Sequence, residues 1–308
     1  PAAPDGGKSN QGGTGYVLKN TPLLTPATRT LYTHLSSSTQ SDLTNAVNAM
    51  SEANNNISKT LLGDAAMSDA ARAALVNYAR GGDPASAACS DNDVNTACAN
   101  WRSWPPGDIL HSNPVTLIYD SDADGVSTTD DPVVYLFYLS NDGLLHAVDT
   151  ATGQEKWAFM PEENLAKLAA MKTNAVGEHL IAGDGSPRLY VVDVDRNGKI
   201  TSGDKAYLLF SMRRGGRAVY ALDVSERDAP RFMWKVDNNT LGFSELGETW
   251  SNPAITRMRT SADPVAVFAA GYDPVANDQL TVTINRLATT ATVNTPSSRA
   301  TSATIGAA

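Results

Sequence analysis

The chain has 308 residues, of which 42% are hydrophobic and 19% are charged, a composition typical of a folded soluble protein with one large or two modest domains. Its formal net charge of -9 and its lack of basic clusters argue against a nucleic-acid surface and suit divalent cations as ligands. No stretch approaches the roughly 18 apolar residues that span a bilayer, so no transmembrane segment is predicted.

The N-terminal third is predicted to be a lead-in followed by a small helical region. The chain begins at Pro1 without an initiator methionine or a signal peptide, which indicates a mature, processed or excised segment. Residues 1–27 are rich in Gly, Pro, Asn, Ser and Thr and are expected to be extended or poorly ordered. Residues 28–100 carry apolar residues near helical spacing over 41–62 and again over 68–80, where Ser68 is the expected N-cap.

Cys89 and Cys98 enclose a short acidic loop at the end of this region. A disulfide between them fits an exposed loop in an oxidising compartment, and two unpaired thiols are the alternative. A zinc site is disfavoured because no histidine or further cysteine stands at ligand spacing.

Asp108, His111 and Ser112 have the residue types of a hydrolase triad. Residues so close in sequence seldom place a base between a nucleophile and an acid, and no glycine-flanked serine turn accompanies them. A structural corner with a locally hydrogen-bonded histidine is therefore favoured.

From Val115 onward the pattern is β, and residues 101–280 are predicted to form a β-propeller-like domain. The first unit consists of a strand, an Asp-rich loop, a second strand and a stretch that ends at Trp157. The next unit has the same order of elements and ends at Trp234. A short helical insert is expected at 161–171, and a third unit begins near Trp250. A β-sandwich is the alternative, and residues 281–308 form a Thr- and Ala-rich tail of unassigned role.

The first Asp-rich loop has acidic residues at positions 1, 3, 5 and 12 of a calcium-loop pattern. Ser127 stands at position 8, where an aliphatic anchor is usual, so this loop is the weaker candidate. Its predicted ligands are Asp120, Asp122, Asp124, the carbonyl of Val126, Thr128 and Asp131.

The second Asp-rich loop is the primary candidate for Ca²⁺. Oxygen-bearing side chains occupy positions 1, 3, 5, 9 and 12, glycine occupies position 6, and Ile200 at position 8 can anchor the loop to a core. A polar turn without metal is the alternative, because Asp, Asn and Gly favour turns. The predicted ligands are Asp193, Asp195, Asn197, the carbonyl of Lys199, Thr201 and Asp204.

The spacing of Ala147, Asp149, Gly153 and Trp157 resembles the blades of the quinoprotein propeller superfamily. Several stretches between Tyr32 and Tyr272, in this order, also resemble the C-terminal region of the PilY1 family of type IV pilus tip-associated adhesins and biogenesis factors. They are Arg80-Gly81, Gly107 to Pro114, Asn141 to Ala147, Trp157 to Pro161 and Gly215 to Val224.

This resemblance implies a modified quinoprotein-like propeller, partial or complete, with a calcium loop inside a blade. It also implies that calcium occupancy regulates pilus extension against retraction, and hence twitching motility. Minor pilins of the tip complex are the implied partners, and a host or abiotic surface is the implied adhesive target. The implied location of the exported protein is the pilus tip or cell surface, with periplasmic or outer-membrane passage.

The family's loop ligands at positions 1, 3, 5, 7 and 9 carry over to this chain with one departure. Thr201 places a hydroxyl where the family has an acidic or amide ligand, which leaves Thr201 and Asp204 as alternatives for completing the site.

Two other functions share these sequence features. A quinoprotein dehydrogenase needs a full ring of blades and a ring formed by adjacent cysteines, whereas this chain has about three recognisable units and separated cysteines. A passive assembly scaffold would carry the Asp-rich loops as solvated turns. The sequence favours a nonenzymatic calcium-binding module over both.

Overall fold

The computed structural model describes residues 13–21, 23–83, 100–102, 105–120, 132–175, 179–257, 264–272 and 282–286. Helices in these ranges are α1 (Gly13–Asn20), α2 (Asp69–Ala79) and α3 (Leu168–Thr173), with short 3-10 turns at Ala46–Asn48 and Glu162–Lys167. The strands are β1 (Leu31–Thr33), β2 (Val115–Tyr119), β3 (Val133–Leu139), β4 (Leu145–Asp149), β5 (Glu155–Met160), β6 (Arg188–Val192), β7 (Lys205–Ser211), β8 (Ala218–Asp223), β9 (Arg231–Asp237), β10 (Ala254–Arg257), β11 (Pro264–Ala269) and β12 (Val282–Arg286).

The strands form separate sheets that follow one another along the chain, so the fold is mainly β, as predicted. The first sheet has the order β1-β5-β4-β3-β2, the second β6-β7-β8-β9 and the third β10-β11-β12. Strands that are consecutive within a sheet pair antiparallel, and β1 pairs parallel with β5. Successive antiparallel meanders of this kind are the blades of a β-propeller.

An aromatic core lies between the first and second sheets. Trp157 and Phe159 of the first sheet belong to the same buried cluster as Phe210 and Tyr220 of the second. The Trp157 indole Nε1 donates a hydrogen bond to the carbonyl oxygen of Arg227, in the turn between β8 and β9, at 2.7 Å. The tryptophan that ends the first repeated unit therefore packs against the next unit.

Two further clusters extend the core on either side. One joins the second and third sheets through Trp234, Val236 and Phe268. The other joins the N-terminal region to the first sheet, where Met50 and Val76 lie in one cluster with Met160.

The helix predicted over 41–62 is wrong, because that stretch contains only the 3-10 turn Ala46–Asn48. Short polar side chains bind the backbone two residues on: Asp42 accepts from Thr44 N at 2.9 Å and Asn45 accepts from Val47 N at 3.1 Å. Such bonds favour turns over a helical ladder.

Other expectations for the chain ends and the helical region have mixed outcomes. Helix α2 is confirmed with Ser68 as its N-cap, whose Oγ accepts a bond from Ala71 N at 3.1 Å. In the predicted extended lead-in, residues 13–20 instead form α1, with Leu18 buried. Strand β12 lies in the predicted tail and pairs with β11, so the third sheet extends into it. Cys89 and Cys98 lie outside the described residues.

Arg80 fastens the segment that precedes β1. Its guanidinium donates from Nε to Pro26 O at 2.5 Å and from Nη2 to Ala27 O at 2.6 Å and Arg29 O at 2.5 Å. Nη1 also donates to Met50 O. One buried side chain thus satisfies four carbonyl oxygens that have no β-ladder partner.

A buried network of charged side chains connects this segment to the first sheet. The Arg29 guanidinium donates to both Glu155 oxygens, at 2.6 and 2.8 Å, and Glu155 contacts His146 Nδ1 at 2.6 Å. His146 Nε2 lies 2.8 Å from Ser140 Oγ and 3.3 Å from Asp142 Oδ1. Each charge has an opposite partner, which is the condition for burying such groups.

Candidate metal site

The Asp193 loop joins β6 to β7, whose Val192 and Lys205 are paired across the hairpin. The twelve-position stretch between strands is therefore an inter-strand loop, as predicted. Gly198 at position 6 has a φ of +79°, the left-handed conformation that a glycine adopts without a Cβ penalty.

Three carboxylates converge inside this loop. Asp193, Asp195 and Asp204 each offer one oxygen, and these oxygens all lie within 4.8 Å of one another. Calcium binds oxygens at about 2.3 to 2.6 Å, so ligands that share one ion stand at most about 5 Å apart. The three oxygens satisfy that limit.

The loop's own hydrogen bonds leave a carboxylate oxygen for a cation. Asp193 Oδ2 accepts a bond from Gly198 N at 2.8 Å, whereas Oδ1 is buried and accepts none within the described part of the chain. The Gly198 bond lowers the pKa of Asp193, and the Val194 N–H, which donates to Asp204 Oδ1 at 2.8 Å, lowers the pKa of Asp204. Ionised oxygen donors, one of them buried and without a partner, fit a hard cation such as Ca²⁺.

Two of the other predicted ligands, Asn197 and Thr201, bond to these carboxylates. Asn197 donates from Nδ2 to Asp195 Oδ2 at 2.9 Å, and its Oδ1 accepts from the Lys199 N–H at 2.7 Å. The Thr201 hydroxyl donates to Asp204 Oδ2 at 2.8 Å and to Asp195 Oδ2 at 3.4 Å. Thr201 and Asp204 are thus directly bonded to each other.

Ile200 ties the loop to the neighbouring sheet. Its N–H donates to Ile118 O at 2.8 Å, and its carbonyl accepts from Asp120 N at 3.1 Å. Its side chain is buried in the core between the first two sheets, as predicted for position 8. The conformation of the Asp193 loop is therefore coupled to the end of β2.

The first Asp-rich loop, the weaker candidate, begins at Asp120, the residue whose N–H bonds to the Ile200 carbonyl. Asp120 is buried, and the Lys199 ammonium Nζ lies 3.8 Å from its Oδ1. The other predicted ligands of that loop, Asp122, Asp124, Val126, Thr128 and Asp131, lie outside the described residues.

The Asp108, His111 and Ser112 stretch is a corner, but its histidine is not bonded locally. His111 Nδ1 lies 2.8 Å from Oδ1 of Asp184, a fully buried residue that precedes the first strand of the next sheet. The Ser112 hydroxyl accepts from Leu139 N at 3.0 Å. The predicted local bond is wrong because adjacent sheets bring their entry segments together.

Comparison with known proteins places the chain near one group of pilus proteins. No protein-family model matches the chain. It is 32% identical over 185 residues to the type IV pilus biogenesis factor PilY1 of Pseudomonas aeruginosa strain UCBPP-PA14. The matched region covers 54% of this chain and 15% of that protein. It is 30% identical over 159 residues to a PilY1 homolog of Xylella fastidiosa strain Temecula1, covering 49% of this chain and 12% of the homolog.

A solved structure is also similar. The crystal structure of the Pseudomonas aeruginosa PilY1 C-terminal domain matches 53% of this chain and 29% of that chain, with 24% sequence identity and a TM-score of 0.37. By sequence, the chain resembles PilY1 proteins over about half of its own length, and it spans only 12 to 15% of the two relatives above. In the described part of the chain, no helix combines the length and apolar character that crossing a membrane requires.

Proposed function

We propose that this chain is a nonenzymatic, calcium-binding module of an exported type IV pilus biogenesis factor. The pilus assignment is supported by the 32% identity to PilY1 over 185 residues. The proposal includes a position at the pilus tip or cell surface, contact with minor pilins, and adhesion to a surface. The relatives' names support the pilus role, and the calcium site depends on this chain's own residues.

The observation that carries the calcium part is the convergence of three carboxylate oxygens within 4.8 Å. Asp193, Asp195 and Asp204 would hold the ion, with Asn197, Thr201 and the Lys199 carbonyl as further oxygen donors. A bound Ca²⁺ would neutralise carboxylates that otherwise repel one another. A loop between strands cannot separate helices as a sensor EF-hand does, so the expected effect is to make one end of the sheet more rigid.

Calcium is expected to raise the melting temperature of the wild-type protein and of an Asp64→Ala control, but not that of Asp195→Ala. Asp64 is an exposed aspartate of the N-terminal region, so its replacement changes the net charge equally. A ligand specific to the native state at 100 times its Kd adds about 2.7 kcal/mol of stability. Calorimetric titration and thermal melts in calcium and in chelator measure this effect. Equal responses of the Asp195→Ala and wild-type proteins would reject the site, and a passive scaffold would then be favoured.

The variants Thr201→Val and Asp204→Asn distinguish the two ways of completing the coordination. Each is compared with wild type in the same titration, and the residue that completes the site is the one whose change weakens calcium binding more. Because Asp204 also accepts bonds from Val194 N and Thr201 N, its variant must be shown to fold by its melting temperature in chelator.

The pilus role is tested by complementation of a strain that has lost its pili because its own biogenesis factor has been deleted. The full-length parent protein is expected to restore surface pili and twitching motility. The Asp195→Ala form is expected to alter the balance of extension and retraction while the protein is still exported. Failure of the wild type to restore pili would reject the pilus role whatever the calcium result.

A further inference from the structure

The end of the sheets opposite the Asp-rich loops carries an unusual group of exposed side chains. Turns of an antiparallel meander alternate between its two ends. Because the Asp120 and Asp193 loops follow the first strand of their sheets, the turns after β3, β7 and β11 lie at the other end, together with the segments that enter β2, β6 and β10.

Backbone and side-chain bonds join these turns and entry segments from one sheet to the next. The contacts are Asn141 N to Asp108 O at 2.8 Å, Asn141 Nδ2 to Leu180 O at 2.9 Å, His111 Nδ1 to Asp184 Oδ1 at 2.8 Å, Arg213 N to Thr249 O at 3.2 Å and Glu248 N to Tyr272 O at 2.7 Å. The surface at this end is therefore continuous across all three sheets.

Equivalent positions of the repeat meet at the centre of this surface. His111, Asp184 and Trp250 each stand three residues before the proline that precedes the first strand of a sheet. Asp184 is fully buried and pairs with His111 on one side, and Arg213 Nε lies 3.6 Å from its Oδ2 on the other. The buried carboxylate thus holds an imidazole and a guanidinium at the surface.

Two arginines lie against one tryptophan beside this group. The guanidinium carbons of Arg213 and Arg214 are 5.1 and 5.0 Å from the centre of the Trp250 ring. Arg213 is paired with Asp184, whereas Arg214 is exposed and makes no ion pair among the residues that the structure describes. The Arg214 guanidinium therefore keeps its donors available to a carboxylate.

Large apolar side chains are also exposed at this end of the sheets. Ile109 is 52% exposed, Leu110 45%, Leu180 38% and Tyr272 50%, and all four lie in the entry segments and turns of this end. Tryptophan, tyrosine and arginine are the residues most enriched at the energetic centres of protein interfaces.

We propose that this end of the molecule is a docking face for a protein segment that presents an acidic side chain among apolar ones. The docking face consists of Ile109, Leu110, Leu180, Arg214, Trp250 and Tyr272. The partner's carboxylate pairs with Arg214 over the Trp250 ring, and its apolar side chains cover the exposed aliphatic residues.

The charges at this end favour an acidic partner at Arg214. The carboxylates of Glu248 and Asp108 also lie here, but Glu248 accepts a bond from Trp250 Nε1 at 3.1 Å and Asp108 lies 3.3 Å from His179 Nε2. Arg214 has no ion pair among the residues that the structure describes. The chain as a whole carries a net charge of -9, so its long-range field repels an acidic segment. Recognition therefore depends on contact with Arg214 and on burial of apolar surface at the same time. We therefore expect an acidic segment without apolar residues not to bind. We expect a basic apolar segment not to bind either, because the positive charge of Arg214 repels it.

Fluorescence anisotropy with three labelled peptides tests the docking face on the full 308-residue chain. The probe is acetyl-Gly-Leu-Asp-Phe-Asp-Leu-Gly-amide, and its controls replace either both Asp residues with Lys or the Leu and Phe residues with Ser. Only the acidic apolar peptide is expected to bind. The variant Arg214→Glu is expected to bind it about tenfold more weakly.

The matched control for charge is Lys205→Glu, which makes the same change on an exposed side chain at the end that carries the Asp193 loop. It is expected to bind the peptide as wild type does, with or without chelator, which separates this proposal from calcium binding. The docking face is rejected if no peptide binds, if the lysine peptide binds equally well, or if Lys205→Glu weakens binding as much as Arg214→Glu. Thermal melts of both variants establish that they are folded.

Discussion

Replacing Arg29 with methionine is expected to lower the free energy of unfolding by about 3 to 5 kcal/mol, because it leaves a buried carboxylate without its partner. The side chains of Arg29 and Glu155 are each 1% exposed, and two hydrogen bonds join them. The change also removes the group that attaches the N-terminal segment to β5. Urea unfolding at neutral pH measures the loss.

Lys59→Met is the matched control for this prediction. Lys59 pairs with Asp69 at 2.9 Å, but the two side chains are 33% and 94% exposed. An exposed pair of this kind contributes little to stability, because water and salt screen the two charges. A comparable loss in the two variants would contradict the argument that burial makes the Arg29 pair important.

The same network predicts how stability depends on pH. Burial alone would raise the pKa of Glu155, but Arg29 and His146 outweigh it and lower the pKa from 4.5 to about 2. Burial would lower the pKa of His146, but Asp142 and Glu155 outweigh it and raise the pKa from 6.5 to about 9. The Glu155 contribution is therefore complete above pH 4.5 and lost as pH falls toward 2. The His146 contribution is complete below pH 6.5 and lost as pH rises through 9.

In the Arg29→Met variant the acid side of this profile should move to higher pH, because the Glu155 carboxylate loses its main stabilising charge. Unfolding free energies at a series of pH values test this shift. If the unfolding free energy of the variant fell over the same low-pH range as that of the wild type, Arg29 would not control the ionisation of Glu155.

Trp157→Ala is expected to cost about 3 to 5 kcal/mol of unfolding free energy, the usual range for deleting a large buried aromatic side chain. Trp157 is 1% exposed, and its ring centre lies 5.8 Å from that of Phe137. Its indole N–H bonds to the second sheet at Arg227. The change therefore opens a cavity between the first two sheets and removes a hydrogen bond between them.

Trp157→Phe separates these two effects, because it retains most of the apolar packing and loses the indole donor. Its expected cost is about 1 to 2 kcal/mol. Chemical unfolding of both variants, with unchanged dependence on denaturant concentration, provides the comparison. If the phenylalanine variant lost as much stability as the alanine variant, the hydrogen bond would matter more than the packing.

The sequence alone was sufficient for the features that depend on local pattern. Alternating apolar residues and the Asp-rich turn predicted β6, the Asp193 loop and β7, because strand period and loop spacing are both encoded over a dozen residues. The recurring tryptophan marked the end of each repeated unit, and Trp157 lies in the core between the first two sheets.

Features that depend on distant residues could not be predicted in this way. The bond between His111 and Asp184 joins segments that only the stacking of sheets brings together. Arg80 binds the carbonyls of a segment about fifty residues earlier, for which no spacing rule exists. The three prolines that follow His111, Asp184 and Trp250 at equal distance were a usable signal that these entry segments meet, because they mark equivalent positions of the repeat.

The attachment of β1 to β5 has a consequence for the order of folding. The hydrogen bond from Thr33 to Met160 spans 127 positions, whereas the other described strands pair with their neighbours along the chain. Distant contacts cost more loop-closure entropy and form after local ones. We therefore expect the antiparallel meanders to form early and the N-terminal strand to dock late. Pulse-labelled hydrogen exchange during refolding would contradict this order if amides 31–33 gained protection before those of β3 and β4.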